Sequence, residues 1–146
     1  MPNALPPRRR ASVPPIDPLA YAPTAQRPLR AKLRRLAADT VVQPHQHPWA
    51  QLAMSSTGVI RMTAGRSTYI VPPSRALWIP PDVEHVVTVL EDADIRTLYV
   101  HPSARFFTDG DAAGGARPCA RWTQCRVLEV SKLLRELVAA LDTAPG

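Results

Sequence analysis

Cysteine is scarce, with two thiols, Cys119 and Cys125, in 146 residues. Two do not make a disulfide framework, and no Cys-x-x-Cys spacing for zinc or dithiol redox chemistry is present. Both are expected to be free and structural in a reducing compartment. Long apolar runs are missing too. Nothing approaches the roughly 18 residues of a membrane-spanning helix, and no apolar core follows Arg8-Arg9-Arg10 to make a secretory leader. A cytoplasmic location without membrane contact is therefore expected. The chain also lacks a stripe of lysine and arginine interleaved with aromatics, although its net charge is +6. Residues 1–28 hold Arg8, Arg9, Arg10 and Arg27 against Asp17, which is +3, and leave only +3 for the other 118. The basicity reads as a solvated tail on a mildly basic body rather than a DNA-reading face.

Proline is plentiful. Eight of the seventeen fall in the first 28 residues, where no hydrophobic period is found. Such a stretch buries too little apolar area to offset its ordering entropy. Residues 1–28 are expected to be disordered or to lie extended along the surface, with Tyr21-Ala22-Pro23 the part suited to docking.

The remainder, long enough for one domain with its own core, reads as short strands separated by Pro, Gly and Asp. Leu29 to Leu36 alternates loosely, as a first strand with a polar outer side. Val41-Val42, Gln51 to Met54, Val59 to Thr63, Ser67 to Val71, Arg75 to Ile79, His85 to Leu90 and Ile95 to Val100 follow, the Val59 and Ser67 runs as a hairpin. This spacing is that of an all-β sandwich or barrel. Residues 103–118, with Asp109-Gly110-Asp111 and Gly114-Gly115, read as a flexible loop, and Arg126 to Val130 as one more strand. Ser131 is a good N-cap. Beyond it Leu133, Leu134, Leu137, Val138 and Leu141 recur at the helical period over about 132–142. That stripe either packs on the barrel or forms a dimer interface, and the two are compatible. The domain plan is a tail over 1–28, a barrel over 29–130 and a helix over 131–146, after which a longer parent chain is expected to continue.

Three of the four histidines sit where chemistry is expected. His45 and His47 are two residues apart and share one face if the segment is a strand. Gln51 adds an oxygen ligand four residues on, and His85 brings a third imidazole from a distant strand. Together they compose a transition-metal pocket. The plainer alternative is a set of structural histidines donating to backbone carbonyls, with Gln51 only orienting one ring. Trp78 is the better of two buried tryptophans to line a ligand cavity.

The spacing His45-x-His47, three residues, Gln51, six residues, Gly58 resembles the first motif of the cupin superfamily. Pro80-x-Asp82-x-x-His85 resembles the second. Gln51 stands where Glu is usual, Asp82 where Gly is usual and Val89 where Asn is usual. More narrowly, His47-Pro48-Trp49-Ala50-Gln51-Leu52 and the run from Val71 to Pro81 look like the N-terminal domain of AraC-type transcriptional regulators. The likeness continues through Arg96 to Val100 and Cys125 to Ser131 with its Leu-Leu-Arg-Glu-Leu helix, over roughly residues 21–142.

The resemblance implies a cupin-like jelly-roll barrel with a C-terminal helix, sensing a small-molecule or metal effector and dimerising. DNA would be bound by a helix-turn-helix domain absent from these residues. A set of three neutral imidazoles and a neutral amide favours Zn, Ni, Fe or Cu over a hard cation such as Mg²⁺. A metal-dependent dioxygenase or isomerase is the alternative, weakened by the missing carboxylate. A bare dimerisation module with an empty pocket is a third.

Overall fold

The computed structural model describes residues 10–103, 108–109, 117–118 and 122–146. Most of the segment read as a flexible loop, and Cys119, lie outside the described residues. The β-branched and aromatic runs from Leu29 onward form strands where the sequence placed them, and one more strand precedes them. They are β1 (Ala11–Val13), β2 (Leu29–Leu36), β3 (Thr40–His45), β4 (Ala50–Thr57), β5 (Ile60–Ala64), β6 (Ser67–Val71), β7 (Arg75–Ile79), β8 (His85–Val89) and β9 (Ala93–Val100). Two short strands, β10 (Thr108–Asp109) and β11 (Arg117–Pro118), pair with each other. The last strand is β12 (Arg126–Glu129), and helix α1 spans Lys132–Ala140.

Two five-stranded sheets face each other. One runs β1-β3-β8-β5-β6 and the other β12-β7-β4-β9-β2. Among the described residues all pairs are antiparallel except β1 with β3. Sequence neighbours repeatedly sit in different sheets, as in a jelly-roll cupin barrel. The core between the sheets is closed by Ile60, Met62, Val71, Leu77, Ile79 and Val89, all at most 1% exposed. Period-2 alternation puts every second residue of each strand there.

Beta-turn chemistry sets the strand ends. Asp39, Asp82, Gly58 and Gly65 have φ values of 66°, 63°, 78° and 59°, so Asp82 does take the left-handed conformation that Gly fills elsewhere. The β5–β6 hairpin pairs Ala64 with Ser67 around Gly65, as its sequence implies.

Three expectations are refined. Of the two states expected for residues 1–28, the described part from Ala11 onward takes the extended one along the barrel, with Tyr21 docked. Val13 pairs with Val42, and Pro18–Tyr21 forms a single 3-10 turn capped by Asp17. Tyr21 is buried against Trp49 and Tyr99, and its hydroxyl donates to the Thr143 carbonyl at 3.0 Å. The edge of β3 and these aromatic contacts supply what the segment cannot supply itself.

The second change is the polarity of β2. Register with β9 pairs Arg30 with Tyr99, Lys32 with Thr97 and Arg34 with Ile95. The cations therefore face the inside, while Ala31 faces out against Met54, Leu98 and Val138 of α1. Helix α1 covers Ala31, while Arg35 on the same outer side stays exposed, so β2 carries cations on both faces.

The third concerns the helix. Ser131 caps it, accepting from the Leu134 amide at 3.1 Å, but its stripe is divided. Val138 and Leu134 pack on the outer sheet face, whereas Leu133 and Leu137 remain 69% and 57% exposed.

Gly58 carries the tightest steric demand. A Cβ there would lie 2.2 Å from the Asp92 carbonyl oxygen and 2.8 Å from Ala93 Cα, whereas at Gly65 nothing comes closer than 3.9 Å. Gly58→Ala is predicted to cost about 3 kcal/mol through positive-φ strain plus a backbone clash, and Gly65→Ala only about 1 kcal/mol through strain alone. Urea unfolding of the two variants checks the order; equal midpoints would contradict it.

Candidate metal and ligand site

Two strand ends and one connection bring the histidines together. His45 closes β3 and pairs directly with His85, the first residue of β8, beyond a register shift that follows Val42. His47 lies in the link to β4, where its carbonyl accepts from the Asp82 amide at 2.9 Å. That bond ties the first histidine motif to the turn that delivers His85. Gln51 comes from β4 of the opposite sheet, paired with Tyr99 and Ile79. Ring centroids are 4.2 Å apart for His45 and His85, 5.3 Å for His47 and His85 and 6.1 Å for His45 and His47. One ligand atom from each of the three lies within 4.8 Å of the others.

Each imidazole is held the same way. Nδ1 of His45, His47 and His85 meets the backbone carbonyl of Gln43, Trp49 and Val83 at 2.9, 2.8 and 2.9 Å. A carbonyl accepts only, so Nδ1 carries the proton and Nε2 is left with its lone pair. This outer hold is the one that orients metal-binding histidines. His85 Nε2 is buried with no hydrogen-bond partner. His47 Nε2 faces the Gln51 side-chain oxygen at 2.8 Å. Two acceptors at that distance are satisfied by a cation binding both, or by turning the amide over so that its NH₂ donates.

Burial keeps the rings neutral. It lowers the His45 and His47 pKa values below the usual imidazole range and pushes His85 down to about 3, with the neighbouring histidines and Lys32 adding to the shift at His85. Neutral imidazole is the form that ligates metal.

The donor set therefore fits a transition metal: oriented neutral nitrogens, one orphaned, beside an amide oxygen. A tetrahedral ion with bonds of about 2.0–2.1 Å needs donors roughly 3.4 Å apart. The rings would have to close slightly, and half-buried His45 has the room. His85 and Gln51 are 1% and 4% exposed and fixed by their surroundings.

A cavity of about 40 Å³ adjoins this cluster, with His45, His85 and Gln51 in its wall. Its floor is apolar, made by Val42, Ala53, Ile60, Met62, Val87 and Ile95, and Pro15 and Ile16 border it from the N-terminal segment. Lys32, Arg34, Leu36, Thr97 and Tyr99 complete the wall. Lys32 Nζ donates to the Tyr99 hydroxyl at 2.7 Å, and burial raises the pKa of that phenol, so it stays neutral.

Of the residues singled out in the sequence, His45, His47, Gln51 and His85 converge and Trp78 does not. Trp78 pairs with Leu52, while its neighbour Ile79 pairs with Gln51, so the indole occupies the opposite face of the sheet. There it packs with Ala50, Val100, Trp122 and Leu128, and its Nε1–H donates to the Trp122 carbonyl at 3.0 Å. Trp78 is thus a buried outer-face residue rather than a cavity wall. Trp49 is the tryptophan near the site, stacked on His47 at 5.1 Å. Lys32, Arg34 and Tyr99 join the site beyond the residues the sequence singles out. The alternation of Arg30, Lys32 and Arg34 is the available signal, and it fixes a shared face without saying that the face is the inner one.

Fold and site together define a cupin domain with a histidine-rich pocket. The model of the AraC-like ligand binding domain family matches residues 14–146, and the chain belongs to that family. It is similar to the HTH-type transcriptional regulator NimR of Escherichia coli (strain K12), 34% identical over 104 residues, which are 70% of this chain and 33% of that protein. The chain thus spans about a third of the length of this curated relative. Among solved structures, KdgF from Halomonas sp. is 23% identical over 54% of this chain and 73% of its own, with a TM-score of 0.49. An oxalate decarboxylase variant of Bacillus subtilis is 22% identical over 52% of this chain and 22% of its own, with a TM-score of 0.47. No helix among the described residues is long and apolar enough to cross a membrane.

Proposed function

We propose that this chain is the effector-sensing domain of a transcriptional regulator. Its pocket takes a divalent transition metal, Zn, Ni, Fe or Cu, or a small molecule, and passes occupancy to a DNA-binding unit outside these residues. His45, His47, Gln51 and His85 are the ligands. The observation that carries the reading is the common hold on three imidazoles: every Nδ1 is tied to a backbone carbonyl, and a buried Nε2 is left with no partner. Family membership supports the regulatory role. We propose no reaction at the site, because no carboxylate is among the described cavity residues to act as acid, base or charged metal ligand. The barrel over residues 29–130 with its N-terminal strand is the sensing body, and its location is cytoplasmic.

Occupancy is sensed where the sheets meet. Filling the site joins β3 and β8 of one sheet to β4 of the other, and β4 is backed on its outer face by α1 through Met54 and Val138. The exposed side of α1, Leu133, Leu137 and Leu141, is the surface through which two copies pair.

Elemental analysis and calorimetry on protein purified without a nickel column test the metal. Zn²⁺ or Ni²⁺ is expected to bind, with His47→Ala and His85→Ala abolishing uptake and Gln51→Ala weakening it about 10–100-fold. Absence of binding, with an unchanged melting temperature on adding either ion, would remove the metal from the account. For pairing, sedimentation of Leu137→Glu is expected to give a monomer where the parent chain gives a dimer; an unaltered sedimentation coefficient would exclude α1 from the interface.

A further inference from the structure

The charge in the cavity wall is all of one sign. Lys32 and Arg34, two residues apart on β2, both face inward. Across from them stand two neutral imidazoles, a neutral amide, the Thr97 hydroxyl, a neutral phenol and an apolar floor, and no aspartate or glutamate is in the described wall. The salt bridges among the described residues are Arg27–Asp142 and Arg35–Asp94, neither of them in the cavity. Lys32 Nζ bonds the Tyr99 hydroxyl and lies 4.9 Å from the centre of that ring. Arg34 donates to the Pro14 carbonyl at 2.9 Å. Both cations are positioned by neutral acceptors, and neither has a counter-charge among the described residues. Burial, with Arg34 nearby, pushes the Lys32 pKa down to about 8, so the ammonium still dominates at neutral pH.

A half-buried ammonium next to a guanidinium, without an acid, is an electrostatic debt that an anion settles. A divalent ion on three imidazoles and an amide would add two further positive charges to the same wall. The floor narrows the class of anion. Val42, Ile60, Met62, Val87 and Ile95 offer nothing to the outer oxygens of a phosphate or sulfate, which need donors around the whole group. A carboxylate is polar at one end only. The size of the cavity, about 40 Å³ against roughly 10–15 Å³ for one water, limits the rest to a few carbon atoms.

We propose that the effector held in this cavity is a small monocarboxylate, its oxygens bound by Lys32 and Arg34 and its carbon chain laid on the Ile60–Met62–Val87 floor. This deepens the sensor reading above and rests on it. Lys32 selects charge and the floor selects shape. Tyr99 positions Lys32 through its hydroxyl.

Calorimetric titration of the whole chain with propionate and with propionamide, in metal-free and Zn²⁺-loaded forms, tests the proposal. Propionate is expected to bind, and propionamide, of the same shape without the charge, is expected to bind at least about tenfold more weakly. Lys32→Met should weaken propionate about tenfold or more, Lys32→Arg should recover most of it, and both should take up Zn²⁺ as the parent does. Zn²⁺ uptake and far-UV circular dichroism report whether each variant is folded. Equal binding of the acid and the amide, or undiminished propionate binding by folded Lys32→Met, would overturn the proposal. A chain that takes up Zn²⁺ but no propionate would overturn it while leaving the metal pocket standing. A chain that binds propionate but no Zn²⁺ would uphold it and remove the metal.

Discussion

The backbone carbonyls of Gln43, Trp49 and Val83 govern this site. By accepting from three Nδ1–H groups they fix the tautomer and tilt of His45, His47 and His85, and turn three lone pairs toward one another. The arrangement requires β3 and β8 to be neighbours in register at His45 and His85. It also requires the His47 link and the Asp82 turn to be tied by one amide-to-carbonyl bond. The turn that presents this amide holds Asp82 in the left-handed conformation. Local backbone geometry, strand pairing and ligand geometry are one chain of cause. A change at the turn therefore reaches the imidazoles without touching them.

Electrostatics set what the pocket can hold. The barrel interior accepts histidines because burial holds them neutral, and it accepts Lys32 and Arg34 because they sit at the border of the cavity with hydroxyl and carbonyl partners. The result is a wall with lone pairs on one side and positive charge on the other. Lone pairs invite a cation; the β2 side chains invite an anion. A cation on the one side and an anion on the other would each lower the cost of the other.

Much of this was legible in the chain. Strand positions followed from β-branched runs broken by Pro, Gly and Asp, and the pocket residues from the spacing of His45, His47, Gln51, Gly58 and His85. The Ser131 cap could be named because capping is local. What escaped was decided by neighbours. Trp78 and Ile79 are equally apolar, and only the pairing of Ile79 with Gln51 sends the indole to the outer face. Lys32 and Arg34 on a strand look solvent-directed until α1 is found covering the other side through Ala31. Residues 11–28 lack a hydrophobic period, yet the free edge of β3 and the Trp49–Tyr99 cluster give them structure. Periodicity says which residues share a face, not which face is inside.

In the proposed sensor three imidazoles converge on one ion. X-ray absorption spectroscopy of the Co²⁺-loaded chain reads it most directly. Three imidazole nitrogens at about 2.1 Å, with no ion retained by His85→Ala, is the predicted result. A shell of oxygens with one imidazole or none, or an ion held equally well by His85→Ala, would contradict the account.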